Sequence, residues 1–251
     1  MPMPQTPMLR TVATTVLDAI FPPRCLACPA PTAVPGRLCA ACWRETHFIA
    51  GASCRRCGVP LVGDSVGESD VCDGCLRHPP GWDRGAAALV YAGGGRRMVL
   101  ALKHGDRLDT APALAGWMAS AGRDLLAEAD LVAPVPLHWR RLLRRRYNQS
   151  AELARRVARL TGRPVAPDLL VRRRATAPQA GGRDARAANQ ADAFALRRRC
   201  DVTGRRVLLV DDVLTTGATL SGCAEALRGA GAAGVDVLVL ARVAFDDSLG
   251  L

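Results

Sequence analysis

The stretch RVLLVDDVLTTGATL, residues 206–220, limits what this chain can fold into more than any other. Val207, Leu208, Leu209 and Val210 form a continuous apolar run, the pattern of a strand buried on both faces of a parallel sheet. The adjacent carboxylates Asp211 and Asp212 are read as the point where that strand stops. Thr215, Thr216, Gly217, Ala218 and Thr219 follow, and Leu220, Ala224 and Leu227 then recur at the i, i+4, i+7 spacing of a helix face. The order is buried strand, acidic pair, hydroxyl- and glycine-rich turn, helix.

That order fits a ribose-phosphate cradle. Free N–H groups at a helix N-terminus, with the dipole behind them, attract a phosphate dianion, and Gly217 lets the backbone approach it closely. The threonine hydroxyls add donors. Upstream, Asp211 and Asp212 can accept hydrogen bonds from the 2′- and 3′-hydroxyls of a ribose and interact with a magnesium ion held by that sugar and its pyrophosphate. The plain alternative is an ordinary strand–turn–helix connection in which Thr215 or Thr216 is an N-cap. A cap needs one hydroxyl and no paired acids.

Eight of the ten cysteines fall into C-x2-C pairs: Cys25 and Cys28, Cys39 and Cys42, Cys54 and Cys57, Cys72 and Cys75. Two such knuckles complete a tetrahedral four-thiolate site, so four pairs imply two structural zinc ions with no open position for catalysis. Sequential pairing, the first four cysteines on one ion and the next four on the other, is preferred; cross-braced pairing satisfies the same spacing. Between Pro22 and Pro80 no long apolar run exists, so this segment is too poor in core to fold without metal. Cys223 falls on the apolar face of the helix after the phosphate turn and reads as packing.

The net charge of +11 is unevenly distributed. Residues 138–199 carry seventeen arginines against Glu152, Asp168, Asp184 and Asp192, a local +13 that leaves −2 on the rest. Such asymmetry favours a polyanionic partner, nucleic acid or a multiply phosphorylated small molecule; for any single arginine cluster a solvated, solubilising face is an equal alternative. No segment reaches the roughly 18–20 apolar residues of a membrane span. Residues 11–21 lack the basic start and cleavage site of a signal peptide, so residues 1–22 read as a helical lead-in and a cytoplasmic location is expected.

At 251 residues the chain has room for one sizeable α/β domain and a small accessory one. Pro79-Pro80-Gly81 marks the boundary, placing the ribbons in 23–80 and the main domain in 81–251. Within the latter, residues 86–91 read as a strand, 93–95 as a glycine turn, 96–103 as a basic helix, 110–127 as one helix and 130–135 as a buried strand. Leu153, Val157 and Leu160 give the next helix an apolar stripe. Residues 172–192 read as a long mobile loop with polar candidates Thr176, Gln179, Arg183 and Asn189, followed by a strand at 193–196; loops of this length are usually functional. Gly229, Gly231 and Gly234 spell G-x-G-x-x-G, but between a helix and a strand, the reverse of the dinucleotide-binding context.

Residues 207–219 resemble the 5-phosphoribosyl-1-pyrophosphate (PRPP) signature of type I phosphoribosyltransferases. The four C-x2-C pairs, Tyr91 with the downstream LKHGD, VPLHWRRLLRRRYNQSAELA, the loop residues Thr176, Gln179, Arg183 and Asn189 with Phe194, and VLLVDDVLTTGAT together resemble the ComF family of competence-related proteins. The resemblance spans residues 25–242 and departs where Arg146 and Tyr147 replace the family's usual Gly-Phe before Asn148 and Gln149.

It implies a mainly parallel type I phosphoribosyltransferase-like sheet flanked by helices, behind an N-terminal double zinc ribbon. Asp211 and Asp212 would contact the ribose, and Thr215, Thr216, Gly217, Ala218 and Thr219 the 5′-phosphate. Pro136, Leu137, His138 and Arg140 would face the pyrophosphate, with Mg2+ as companion. The implied role is PRPP binding in single-stranded DNA uptake or handling during natural transformation, with a DNA-uptake channel or helicase as a further partner. The alternative is active phosphoribosyl transfer from PRPP to a nitrogen acceptor with release of pyrophosphate.

Overall fold

The computed structural model describes residues 22–61, 70–104, 107–137, 147–173, 193–197 and 200–244. The expected lead-in at 1–22 and the loop at 172–192 lie outside these residues except at their edges, as do His138, Arg140, Thr176, Gln179, Arg183 and Asn189.

Strands β1 (Gly85–Val90), β2 (Leu131–Pro134), β5 (Arg206–Leu214) and β6 (Gly234–Arg242) form a parallel sheet in the order β1-β6-β5-β2. Strands β3 (Leu170–Arg172) and β4 (Phe194–Leu196) make a separate antiparallel pair. β6 is buried along nearly its whole length, as expected of an interior strand covered on both faces. One layer of core gathers Val207, Leu209, Val237 and Val239 with Leu220 and Leu227 of helix α7 (Ala218–Gly229) and with Phe194. The other gathers Leu208, Val210, Leu238 and Leu240 with helices α3 (Gly93–His104), α4 (Ala111–Ala121) and α6 (Gln149–Thr161). This is the predicted α/β architecture, and α6 carries its apolar stripe inward except for Leu160, which is exposed.

Three local expectations need correction. β5 does not stop at the acids: it continues to Leu214, pairing Asp211 with Val239 and Leu214 with Arg242 of β6, because a long neighbouring strand supplies partners for its backbone. Gly93, Gly94 and Gly95 are the first turn of α3 rather than a turn before it. Side chains at Gly93 and Gly94 would run into the Glu45 carbonyl and the Thr46 hydroxyl, and one at Gly95 into the Val90 carbonyl, so the run is glycine because ribbon backbone lies against its start and β1 against its end. The helix read over 110–127 is broken at Gly122 into α4 and a short α5 (Arg123–Glu128).

The backbone lying against α3 belongs to the ribbons, which straddle the β1 edge of the sheet. The Ile49 N–H donates to the Ala88 carbonyl at 3.0 Å, the Val90 N–H to His47 at 2.9 Å and the Gly85 N–H to Arg55 at 2.8 Å. The exposed donors and acceptors of an edge strand are thereby satisfied and closed to other chains. Leu26 of the first ribbon joins the core layer of α3, α4 and α6, while Cys54, Cys57 and Val59 of the second join that of α7.

At the opposite end of the sheet from the acids, Asp236 on β6 is 1% exposed and bonds Arg84 at 2.8 Å and Arg206 at 3.3 Å. Both arginines keep a second acid, Glu128 at 2.8 Å for Arg84 and Asp83 at 3.8 Å for Arg206. Asp236→Asn is therefore expected to cost about 1.5–3 kcal/mol, the range for hydrogen bonds to charged groups and less than a buried pair left with one lone charge. Urea unfolding checks this.

Candidate functional site

The acids lie at the C-terminal end of β5, the end of a parallel sheet where ligands bind in open α/β folds. Asp211 Oδ1 accepts from the Ser150 hydroxyl at 2.6 Å and from the Asp212 N–H at 2.9 Å. Burial, reinforced by the neighbouring Asp212 charge, pushes its pKa up to about 7 against the lowering effect of the Ser150 hydrogen bond. Asp212, itself buried, pairs with Lys103 Nζ at 3.1 Å. Lys103 is the only lysine in the chain. Two adjacent carboxylates are thus held by partners from two different elements, α6 and α3.

The segment Tyr147-Asn148-Gln149-Ser150 makes this arrangement. The Asn148 side chain N-caps α6, accepting from the Ser150 N–H at 3.1 Å, while its amide donates to the Val135 carbonyl at 3.1 Å. The Tyr147 hydroxyl donates to the Leu102 carbonyl at 2.5 Å, and the Gln149 amide to the Lys103 carbonyl at 3.5 Å. One short run therefore ties the ends of β2 and α3 to the acid pair. Pro136 and Leu137 continue from β2 beside β5, and the Val135 N–H donates to Val210 at 2.9 Å, so these two half-buried residues leave the sheet next to the acids.

The hydroxyl- and glycine-rich turn follows once β5 ends at Leu214. Thr215 and Thr216 are exposed, Ala218 and Thr219 half-buried, and Gly217 is buried with φ +81° as the N-cap of α7. No side chain caps that helix, whose N-cap is Gly217, so neither Thr215 nor Thr216 takes the N-cap position. A Cβ on Gly217 would lie 2.6 Å from the Trp82 ring. Trp82, 3% exposed, is itself fixed by donating from Nε1 to the Arg56 carbonyl of the second ribbon at 2.6 Å. On the strand side, Arg242 Nη1 donates to the carbonyls of Leu214 at 3.1 Å and Thr215 at 3.0 Å.

The cysteines form two clusters, Cys25 with Cys28, Cys39 and Cys42, and Cys54 with Cys57, Cys72 and Cys75, each with its sulfurs within 4.8 Å of one another. The pairing is sequential. Zn–S bonds of about 2.3 Å in a tetrahedron put sulfurs about 3.8 Å apart. Cys28 and Cys39 are separated by 3.8 Å, and Cys57 and Cys72 by 3.7 Å. The Cys39 N–H points at Cys25 Sγ (3.3 Å) and the Cys72 N–H at Cys54 Sγ (3.3 Å), as thiolates require. Both clusters fit zinc. Arg97 of α3 reaches Cys42 Sγ at 3.5 Å and pairs with Glu45 at 2.6 Å, coupling the first cluster to the main domain.

Reading the sequence missed Lys103, Ser150, Trp82 and Arg242. Lys103 and Ser150 had a signal, their place in the LKHGD and YNQSAELA segments, and Lys103 also its uniqueness in an arginine-rich chain; Trp82 and Arg242 had none, since their roles depend on partners distant in sequence.

Residues 16–76 match the Double zinc ribbon domain and residues 148–246 the Phosphoribosyl transferase domain. DNA utilization protein YhgH of Escherichia coli (strain K12) is 33% identical over 228 residues, covering 88% of this chain and 97% of the relative. Competence protein F of Haemophilus influenzae is 29% identical over 221 residues, covering 81% and 96%. Among solved structures, phosphoribosylpyrophosphate synthetase from Mycobacterium smegmatis matches 53% of this chain and 34% of its own at 20% identity and a TM-score of 0.35, too partial a likeness to bear on function.

Proposed function

The chain belongs to the ComF family, with its double zinc ribbon and phosphoribosyl transferase domain, and from that premise we propose that it binds PRPP, or a closely related phosphoribosyl ligand, while handling single-stranded DNA. The observation that carries the ligand half is the uncapped start of α7 behind a left-handed Gly217, a few residues after two carboxylates in the C-terminal half of a parallel strand. In this reading the N–H groups of Ala218 and Thr219, with the hydroxyls of Thr215, Thr216 and Thr219, hold the 5′-phosphate. Asp211 and Asp212 accept from the ribose hydroxyls, and Pro136, Leu137, His138 and Arg140 face the pyrophosphate. Thr176, Gln179, Arg183 and Asn189 are the candidates for closing over the bound anion.

The hard carboxylate oxygens of Asp211 and Asp212 fit Mg2+, which would neutralise pyrophosphate charge when it arrives with the ligand. Lys103 already balances Asp212, so the acid pair tolerates burial before any ligand binds. The DNA half rests on the relatives named for DNA utilization and competence, and on the arginine-rich segment at 138–199.

Calorimetry with Mg-PRPP tests the cradle. Asp212→Asn and Thr216→Ala are each expected to weaken binding by about 5- to 30-fold, the loss of roughly one hydrogen bond to a charged group. Unchanged affinity in both variants would remove the site. Pyrophosphate release on adding a nitrogen nucleophile would assign transfer rather than binding alone.

A further inference from the structure

Between the first ribbon and α4 lies a groove of about 720 Å³, lined by Val34, Arg37, Trp43, Ala113, Gly116 and Trp117 among others. Its size falls within the range of ligand sites. Trp43 is 59% exposed, an unusual state for the largest apolar side chain. It is held in place: its ring stands 5.0 Å from that of Phe48, which meets Trp117 edge-on, also at 5.0 Å. Phe48 in turn is bridged to Leu89 of β1, so the aromatic row is anchored to the central sheet. Gly116 opens the floor of the groove, since a Cβ there would meet nothing within 4 Å.

Arginines stand at the open side of this row, although Glu45, paired with Arg97, follows them and the Cys39 thiolate lies in the groove wall. No carboxylate lines the groove among the described residues, while Arg37 does, and Arg44 follows Trp43 on the same short helix, α1 (Ala40–Arg44). Both arginines are exposed. A rigid, solvent-facing indole with exposed arginines beside it, and with the nearby Glu45 already paired to Arg97, suits a base stack with its phosphates, whereas an apolar protein segment would find these cations unmatched.

We infer that this groove binds single-stranded nucleic acid, stacking a base on Trp43 and placing the adjoining phosphates against Arg37 and Arg44. The inference rests on the DNA-handling reading above and adds the surface that does it, away from the phosphoribosyl cradle.

The test is titration of the full chain with a single-stranded oligothymidylate, followed by tryptophan emission and by anisotropy of the labelled oligonucleotide. Binding is expected to quench emission, and Trp43→Ala to abolish most of that quench and weaken affinity about 5- to 100-fold. Trp43→Phe should restore part of the affinity, because a phenyl ring still stacks. Gly116→Leu, which fills the groove while favouring the helix, should weaken binding without lowering the melting temperature. Replacing Arg37 and Arg44 together by alanine should reduce the slope of log K against log salt by about 1.4.

Tight binding that is equal in wild type, Trp43→Ala and Gly116→Leu would overturn the groove and leave the DNA-handling reading standing. Absence of binding by the wild-type chain at low salt would sink both. A Gly116→Leu protein that melts several degrees lower would mean that the chain's own residues fill the groove, and would likewise overturn it.

Discussion

Chelation of zinc is expected to unfold the ribbons and to remove more stability than any single substitution. A structural four-cysteine site contributes apparent binding free energy of about 10–16 kcal/mol near neutral pH, against a total stability of about 5–15 kcal/mol for a typical domain. Either cluster alone can thus decide whether the folded chain persists. Metal analysis should return two zinc ions per chain, and a chelator should abolish the cooperative melt; a metal-free chain with an unaltered melt would refute the assignment. The two clusters should differ in what they take with them. The second is linked through the Arg56 carbonyl and Trp82 to Gly217, so Cys54→Ser is expected to lower phosphoribosyl affinity as well as stability. The first is linked through Arg97 and Glu45 to the start of α3, so Cys25→Ser is expected to disturb the Trp43 groove more than the cradle.

The second large effect is expected at Trp82. The side chain is buried between the second ribbon and the phosphate turn, and its truncation to alanine leaves a cavity under Gly217. Burying an aromatic ring of this size is worth about 3–5 kcal/mol on truncation, which for a chain of this length lowers the melting temperature by about 6–20 °C. Ligand affinity should fall too, because the backbone of Gly217 loses the wall that sets its position. Gly217→Ala attacks the same contact from the other side, combining a left-handed φ of +81° with a Cβ 2.6 Å from the ring. Scanning calorimetry on both variants, with and without Mg-PRPP, checks the pair. A Trp82→Ala protein melting within about 2 °C of wild type would remove the proposed support.

The zinc clusters and the cradle differ in how much of each is legible in the amino-acid order. The cluster composition is legible in full, because two-residue spacers bring a pair of thiolates to one ion whatever surrounds them. The partnership of the pairs is not, since spacing alone has no means of choosing between sequential and cross-braced. The cradle is legible as an order of residue types around Asp211 and Gly217. The strand end is misplaced in the sequence, because two acids in a row look like a surface, and only β6 alongside supplies the hydrogen bonds that carry β5 on to Leu214. The glycines at 93–95 read as a turn for a similar reason: what Gly93 and Gly94 accommodate, the Glu45 carbonyl and the Thr46 hydroxyl of the ribbon, is far away in the chain.

By itself the amino-acid order determined the α/β sheet, the four C-x2-C ligand pairs and the succession of acids, hydroxyls and glycine after one apolar run, because periodicity and ligand spacing act over a few residues. The tertiary structure alone decided that Lys103 faces Asp212, that Ser150 holds Asp211, that Trp82 backs Gly217 and that Trp43 stands exposed beside Trp117. Each of those contacts joins side chains carried by different elements, so it exists only once the parallel register and the ribbons' grip on the β1 edge have brought those elements together.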